Sequence, residues 1–71
     1  MDWKERVVQE YKELKERYNK LHKMLIKYEA GTLDFTPNCS LELLKEQNMY
    51  MGEYLRILEI RSEIEDIDLE V

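Results

Sequence analysis

The sequence has almost none of the residues on which catalytic and metal-binding sites in small proteins depend. It contains one cysteine, Cys39, and one histidine, His22, among 71 residues. An intrachain disulfide is therefore excluded, and the roughly four ligands of a structural zinc site are missing. Glycine is limited to Gly31 and Gly52, which rules out a glycine-rich phosphate loop. Because no nucleophile–base pair is evident either, we expect a protein that is not an enzyme and has no cofactor.

Long apolar runs are also missing. Charged residues interrupt the first 20 positions, which leaves no apolar segment of the kind found in a signal peptide. The longest uncharged stretches fall far below the ~20 residues needed to cross a bilayer. We therefore predict a cytoplasmic protein that does not associate with a membrane.

The net charge of −5 is unevenly distributed along the chain. Residues 1–30 carry eight basic and six acidic side chains, whereas residues 31–71 carry three basic and ten acidic ones. Neutralisation of phosphates by basic side chains supplies most non-specific affinity for duplex nucleic acid. The acidic chain is thus a poor partner for duplex nucleic acid, although its basic half could bind a small anion.

The first half of the chain reads as one helix over residues 2–30. Apolar and aromatic residues recur there at alternating spacings of four and three, the pattern of a heptad seam. The residues of this seam are Val7, Tyr11, Leu14, Tyr18, Leu21, Leu25 and Tyr28. Gly31 follows the last of them, where a glycine in the left-handed conformation commonly ends a helix.

Residues 31–39 form the predicted loop. Thr36 followed by Pro37 is typical of a helix start, and Ser40, two residues before Glu42, is an equally good N-cap. The sequence does not choose between these two caps. Leu33 and Phe35 are expected to fold back against the end of the hairpin.

A second helix is predicted over residues 40–66, with apolar surface on two stripes. The first follows the heptad spacing through Leu44, Gln47, Met51, Tyr54, Leu58 and Arg61. The second runs beside it at every seventh position, through Leu43, Tyr50, Ile57 and Ile64. A helix with a single partner needs one stripe, so the second stripe indicates a second partner.

The predicted fold is all-α: a single domain over residues 1–71, folded as an antiparallel two-helix hairpin that assembles into a homo-oligomeric helical bundle. One hairpin would leave the second stripe in water and forgo roughly 1.5–3 kcal/mol for each large apolar side chain. That loss is comparable with the whole stability of a small domain. Association between copies is therefore the expected solution.

Three residue types allow a functional interpretation beside a structural one. Arg61 in a seam is either a long side chain that reaches solvent or a guanidinium placed to bind a phosphate. The five tyrosines are either core residues or platforms on which bases stack while nearby lysines contact phosphates. Gly52, which weakens a helix by ~1 kcal/mol, is either tolerated or lets another backbone or a ligand approach closely.

These residues resemble the helical hairpin of a family of small phage proteins, the anti-CBASS cyclic-oligonucleotide sponges. The anti-Thoeris sponges share a related hairpin. The resemblance spans residues 4–64, and the spaced set in the second helix is its most specific part. It is carried by Arg6-Val7, Glu10, Glu13-Leu14, Lys20-Leu21 and Leu25, and then by Leu44, Gln47, Met51, Tyr54, Leu58 and Arg61.

The resemblance implies a hexamer in the cytoplasm of the infected bacterium. Such a protein binds cyclic dinucleotides or cyclic trinucleotides of CBASS immunity and sequesters them without cleavage. Tyr11 falls where the family stacks an aromatic ring on a base, and Arg61 falls where an arginine serves the trinucleotide pocket. The lysine that contacts phosphate corresponds to Lys27, with Lys23 and Lys20 as alternatives. Tyr54 completes the predicted ligand-binding set.

The second apolar stripe also fits a different class of function. An oligomeric hairpin with a second apolar stripe could be a protein-interaction module that binds a phage or host protein. Copurification of a partner without any nucleotide-dependent rise in melting temperature would distinguish this alternative from a sponge.

Overall fold

Two antiparallel helices make up the fold of the chain. The computed structural model describes residues 2–70, with α1 at Trp3–Ala30 and α2 at Leu41–Ile64. They pack into a rod with extents of 42 × 18 × 18 Å. The prediction of an all-α hairpin is confirmed, while Met1 and Val71, the end residues of the predicted domain, lie outside the described residues.

Capping contacts fix both ends of α1. Asp2 precedes the helix, and its carboxylate accepts a hydrogen bond from the Glu5 backbone N–H at 2.9 Å. Gly31 has a φ of 77° and donates its N–H to the Tyr28 carbonyl at 3.1 Å. This left-handed residue ends the helix as the sequence predicts, because glycine adopts positive φ without a steric cost.

The start of α2 decides between the two candidate caps. Ser40 is the N-cap, and its hydroxyl accepts a hydrogen bond from the Leu43 N–H at 3.2 Å. Thr36 and Pro37 therefore belong to the loop. Within that loop Leu33 is half-buried, but Phe35 is 55% exposed, so the predicted packing of Phe35 against the hairpin end is wrong.

The α1 seam agrees with the heptad prediction over most of its length. Val7, Tyr11, Leu14 and Leu25 are buried, and Tyr18 and Leu21 are half-buried. Tyr28 is the exception, since it is exposed beside the loop. The heptad spacing thus places α1 correctly against its partner helix.

On α2, the predicted seam has the wrong register at every second position. Leu44, Met51 and Leu58 face α1, but Gln47, Tyr54 and Arg61 are exposed. The missing positions are filled by Asn48, Leu55 and Ser62, all buried. Both choices satisfy a heptad through residues 44, 51 and 58, and each adds two polar residues and one large apolar or aromatic residue, so the spacing alone does not decide between them.

Asn48 and Gly52 of α2 both lie close to Tyr18 of α1. Asn48 donates its side-chain N–H to the Tyr18 carbonyl at 3.2 Å. A Cβ atom at Gly52 would lie 3.2 Å from the Tyr18 ring. Gly52 is therefore the position where the Tyr18 ring approaches the α2 backbone closely, so the neighbour at this glycine is a side chain and not the predicted backbone or ligand.

Beyond α2 the chain reverses direction. Asp66 has a φ of 56°, and the Ile67 N–H donates to the Ser62 carbonyl at 2.8 Å. Ile67 and Leu69 then pack against the core cluster that includes Val7, Tyr11 and Leu14. We call residues 65–70 the C-terminal strap. The predicted end of the second helix near residue 66 thus becomes a turn after Ile64.

Candidate functional site

Two tyrosine–glutamate pairs join the helices. The Tyr11 hydroxyl donates to Glu59 Oε2 at 2.6 Å, and the Tyr54 hydroxyl donates to Glu10 Oε1. Residues 10 and 11 lie about 100° apart around α1, and residues 54 and 59 about 140° apart around α2. The pairs therefore occupy opposite edges of the hairpin. Two of the predicted ligand-binding tyrosines, Tyr11 and Tyr54, are thus engaged within the fold.

The carboxylate partners alter the acidity of both phenols. The hydrogen bond to Glu59, followed by burial, raises the pKa of Tyr11 above its ordinary value, while Lys15 opposes this rise. The hydrogen bond to Glu10 in the same way raises the pKa of Tyr54. Both phenols therefore keep their protons, and donate them, throughout the neutral pH range.

Tyr11 lies in the interhelical core, where it is 5% exposed. Lys15 Nζ sits 5.5 Å from the centre of its ring. A groove of about 270 Å³ runs beside the ring and is lined by α1 residues and the strap: Tyr11, Lys12, Lys15, Glu16, Leu69 and Glu70. The ring face on which a base would stack is thus covered in the described hairpin.

Tyr54 and Arg61 lie instead on an exposed face of α2. Together with the predicted second stripe they form a complete heptad row, which we call the second seam. Its members are Leu43, Gln47, Tyr50, Tyr54, Ile57, Arg61 and Ile64, and each is exposed. The α2 helix therefore has two seams without a shared residue: one packed on α1, and one exposed to solvent, from which the Tyr54 hydroxyl reaches Glu10 of α1.

The three candidate lysines lie on the outer face of α1, away from α2. Lys20, Lys23 and Lys27 are spaced three and four apart, so they share one side of the helix. Lys20 pairs with Glu16 at 3.1 Å, with both side chains largely in solvent. All three lysines are exposed, so each could meet a ligand or another copy.

One hairpin does not bring the six predicted site residues together. Lys27 lies sixteen residues after Tyr11, or about 24 Å along α1 at ~1.5 Å per residue. Arg61 is close in sequence to Glu59, the partner of Tyr11, and therefore lies toward the end of the rod opposite Lys27. A site that uses both ends of the predicted set needs more than one copy.

Sequence reasoning missed the partners of the tyrosines. In the sequence, Glu10 and Glu59 look like any other solvated glutamates. Their roles depend on pairing across the hairpin with tyrosines that lie 44 and 48 positions away in the chain. Only the correct register of α2 would have revealed them. The strap was missed for a similar reason, since Ile67 and Leu69 fit a continued helix equally well.

Two further properties constrain the site. Neither α1 nor α2 is long and apolar enough to cross a membrane. Over residues 2–70, no group of three or more His, Cys, Asp or Glu side chains could hold a metal ion.

These features define a class of protein: a small helical hairpin with basic residues on one helix and an exposed seam on the other. The family model of Sequestin matches residues 1–64. The chain therefore belongs to the Sequestin family, whose name denotes sequestration. No curated protein and no solved structure matches the chain.

Proposed function

We propose that this protein is a phage anti-defence sponge. It binds cyclic di- or trinucleotide second messengers of CBASS immunity in the host bacterial cytoplasm and holds them without cleaving them. The observation that carries the proposal is membership of the Sequestin family, together with a hairpin whose second seam places Tyr54 and Arg61 on an exposed surface. The earlier resemblance to anti-CBASS sponges supplies the class of ligand.

Assembly is the first element of the proposal. Leu43, Tyr50, Ile57 and Ile64 are exposed along one face of α2, and covering each contributes roughly 1.5–3 kcal/mol. A second seam with heptad spacing fits another helix of the same kind. The proposed assembly is a homo-oligomer, a hexamer by the resemblance, in which the second seams of different copies meet.

Symmetry then supplies the number of ligand contacts that one short chain lacks. At a two-fold axis, each tyrosine and lysine appears twice, which matches the two bases and two phosphates of a cyclic dinucleotide. At a three-fold axis, Arg61 appears three times, once for each phosphate of a cyclic trinucleotide. Stacking contributes ~1–3 kcal/mol per base, and a charge-assisted hydrogen bond contributes ~1.5–3 kcal/mol.

Within that assembly the roles divide by position. Tyr11 stacks on a base of the dinucleotide, and one of Lys27, Lys23 or Lys20 contacts its phosphate. Arg61 binds the trinucleotide phosphates, and Tyr54, two turns earlier on the same seam, provides an adjacent aromatic ring. Because Tyr11 is covered in the described hairpin, its role requires a rearrangement that exposes the ring.

The test of this function is binding followed by recovery of intact ligand. We expect a panel of cyclic di- and trinucleotides to raise the melting temperature of the purified protein. Chromatography after denaturation should return the bound molecule unchanged. Absence of binding across the whole panel would contradict the proposal, and recovery of a linear product would make the protein an enzyme.

Arg61→Ala tests the division of the pockets. We expect this substitution to weaken trinucleotide binding by tenfold or more, on the basis of a lost charge-assisted contact of ~1.5–3 kcal/mol, while dinucleotide binding changes little. Arg56→Ala is the matched control, since Arg56 is exposed on the same helix and contacts Glu53 at 3.4 Å, outside the second seam. Equal losses in the two variants would remove Arg61 from the site.

A second candidate function rests on the same exposed seam. If Leu43, Tyr50 and Ile57 bind a phage or host protein instead of another copy, the protein is an interaction module. In that case a partner copurifies with the protein, a second-seam substitution abolishes its capture, and cyclic nucleotides leave the melting temperature unchanged.

A further inference from the structure

The C-terminal strap has a composition unlike the rest of the chain. Its six residues contain four acidic side chains, Glu65, Asp66, Asp68 and Glu70, and two apolar ones, Ile67 and Leu69. The acidic residues are exposed, whereas the two apolar residues are half-buried. The strap lies outside the family match, which ends at residue 64.

The strap runs back along α1 toward Tyr11. Asp66, Ile67 and Asp68 line a groove with the first turns of α1, including Lys4 and Val8. Leu69 and Glu70 line the next groove along α1 with Tyr11, Lys12 and Lys15. Later strap residues thus lie beside later residues of α1, so the strap runs in the same direction as α1.

A comparison within the α1 seam indicates what the strap does to Tyr11. Tyr18 lies one heptad further along the same seam, beyond the strap, and stays half-buried even though its ring lies against Gly52. Tyr11 is only 5% exposed, and Leu69 packs on the cluster that contains it. The extra burial of Tyr11 coincides with the presence of the strap.

The groove beneath the strap has the chemistry of a nucleotide site. It offers an aromatic ring with Lys15 Nζ 5.5 Å from its centre, and a second lysine, Lys12, on the same wall. Stacking on aromatic rings combined with basic contacts to phosphate is how proteins hold single-stranded nucleic acids. The strap lines the same groove with an apolar side chain, Leu69, and a carboxylate, Glu70, which are counterparts of a base and a phosphate.

We propose that the C-terminal strap is an autoinhibitory segment that covers Tyr11 in place of a cyclic nucleotide. This inference rests on the proposed function and deepens it by naming what regulates access to Tyr11. Ligand binding and strap docking compete for the same ring. The apparent Kd is then the intrinsic Kd divided by the fraction of molecules in which the strap is open.

The test substitutes both apolar anchors of the strap in the full chain, Ile67→Ser with Leu69→Ser. Phe35→Ser is the control, because it also replaces a large apolar side chain by serine but lies exposed in the loop at the far end of the rod. Circular dichroism establishes that each variant is helical. Leu69→Ser alone serves if the double variant loses its helical signal.

The first measurement does not depend on a nucleotide. Nitration of Tyr11 by tetranitromethane is followed by mass spectrometry of the tyrosine peptides, relative to the rate in the urea-unfolded chain. We expect the strap variant to react about tenfold faster at Tyr11, since docking that favours the closed form about tenfold protects the ring to the same extent. The control should react like the unmodified protein, and an unchanged rate in the strap variant would overturn the proposal.

The second measurement is the affinity for cyclic di-GMP, cyclic di-AMP and cyclic GMP–AMP. We expect binding to tighten by about tenfold in the strap variant for whichever molecule binds. Equal or weaker binding would overturn autoinhibition. If the strap variant nitrates faster at Tyr11 but neither chain binds any of these cyclic dinucleotides, the strap stands as a cover over Tyr11 and the dinucleotide part of the proposed function fails.

Discussion

At the scale of single residues, the two tyrosine–glutamate pairs differ mainly in their surroundings. Tyr11 donates to Glu59 from within the core, whereas Tyr54 donates to Glu10 from an exposed position. A hydrogen bond to a charged group contributes more where water competes less. The two pairs are therefore a natural comparison of the same chemistry in two environments.

Tyr11→Phe should lower the free energy of unfolding by about 1 kcal/mol at pH 7, because the hydrogen bond to Glu59 is lost while the ring remains. Tyr54→Phe should cost less than half as much, since that pair is exposed. Urea unfolding followed by circular dichroism measures both. A larger loss in Tyr54→Phe than in Tyr11→Phe would contradict the assignment of Tyr11 to the core.

The raised pKa of Tyr11 also predicts a pH dependence. Each tyrosine must be protonated to donate, and the folded chain holds that proton more tightly than the unfolded one. The stabilisation is therefore present below the ordinary pKa of 10.0 and is lost as the pH rises through the higher folded value. We expect the stability difference between the unmodified protein and Tyr11→Phe to shrink as the pH rises from 9 to 11. A difference that stays constant over this range would contradict the pairing.

Alanine at Ser62, within α2, and alanine at Ser40, the N-cap of α2, should change the stability of the protein in opposite directions. The Ser62 hydroxyl is buried and has no hydrogen-bond partner within residues 2–70, so Ser62→Ala should stabilise the protein by about 0.5–1 kcal/mol. Ser40 caps the helix, and Ser40→Ala should cost about 1 kcal/mol. Thermal unfolding of the two variants distinguishes the cases, and destabilisation by Ser62→Ala would reveal an unrecognised partner for its hydroxyl.

At the scale of the elements, α1 could be predicted from sequence and half of the α2 seam could not. The α1 seam is uniformly apolar or aromatic, so only one register fits it. On α2 the observed seam contains two polar residues, Asn48 and Ser62, and the predicted positions also contain two, Gln47 and Arg61, so the heptad spacing alone does not decide the register. The contacts that decide the register, Asn48 to the Tyr18 carbonyl and the Tyr18 ring over Gly52, exist only once the helices are paired.

The candidate site was limited by the same uncertainty. The sequence predicts the residue types of the proposed site, since tyrosine rings can stack on bases and lysine and arginine side chains can bind phosphates, and their roles stay a prediction. Their placement was not predicted, because Arg61 and Tyr54 lie on the exposed seam, away from the packed one. The strap could not be foreseen, since the reversal at Asp66 has no glycine or proline to signal it.

The close approach at Gly52 predicts a size threshold. A Cβ there meets the Tyr18 ring at 3.2 Å, and this ring is half-buried and can shift slightly. Gly52→Ala should therefore change stability by less than about 1 kcal/mol, because the gain in helix propensity offsets the closer contact. Gly52→Leu should cost about 1–3 kcal/mol through overpacking. Chemical unfolding of both variants provides the test, and a neutral Gly52→Leu would show that the helices separate freely at this point.

At the scale of the whole molecule, the proposed assembly through the second seam makes a sharp comparison possible. Ile57 and Ile60 lie on the same helix with nearly equal exposure, 46% and 45%, but only Ile57 belongs to the second seam. Ile57→Glu should dissociate the oligomer, because a buried charge without a partner is strongly unfavourable. Ile60→Glu should leave the assembly unchanged. Sedimentation velocity at micromolar concentration measures both.

The oligomeric state of the three proteins also tests whether a binding site can be shared between copies. If the unmodified protein sediments as a folded single hairpin, the second seam does not join copies, and a site divided among them is excluded. If both glutamate variants dissociate, the interface covers more of α2 than the second seam. Dissociation of Ile57→Glu alone supports the proposed arrangement.

Cys39 lies exposed in the loop, at one end of a rod 42 Å long. It is also the sole thiol of the sequence, so a single spin label attached there marks one pole of every copy. If neighbouring hairpins of a complex point in opposite directions, their labels would be tens of ångströms apart. If the hairpins point in the same direction, their labels would be close together. Electron spin resonance distances from this natural attachment point would thus reveal the polarity of the packing without altering either seam.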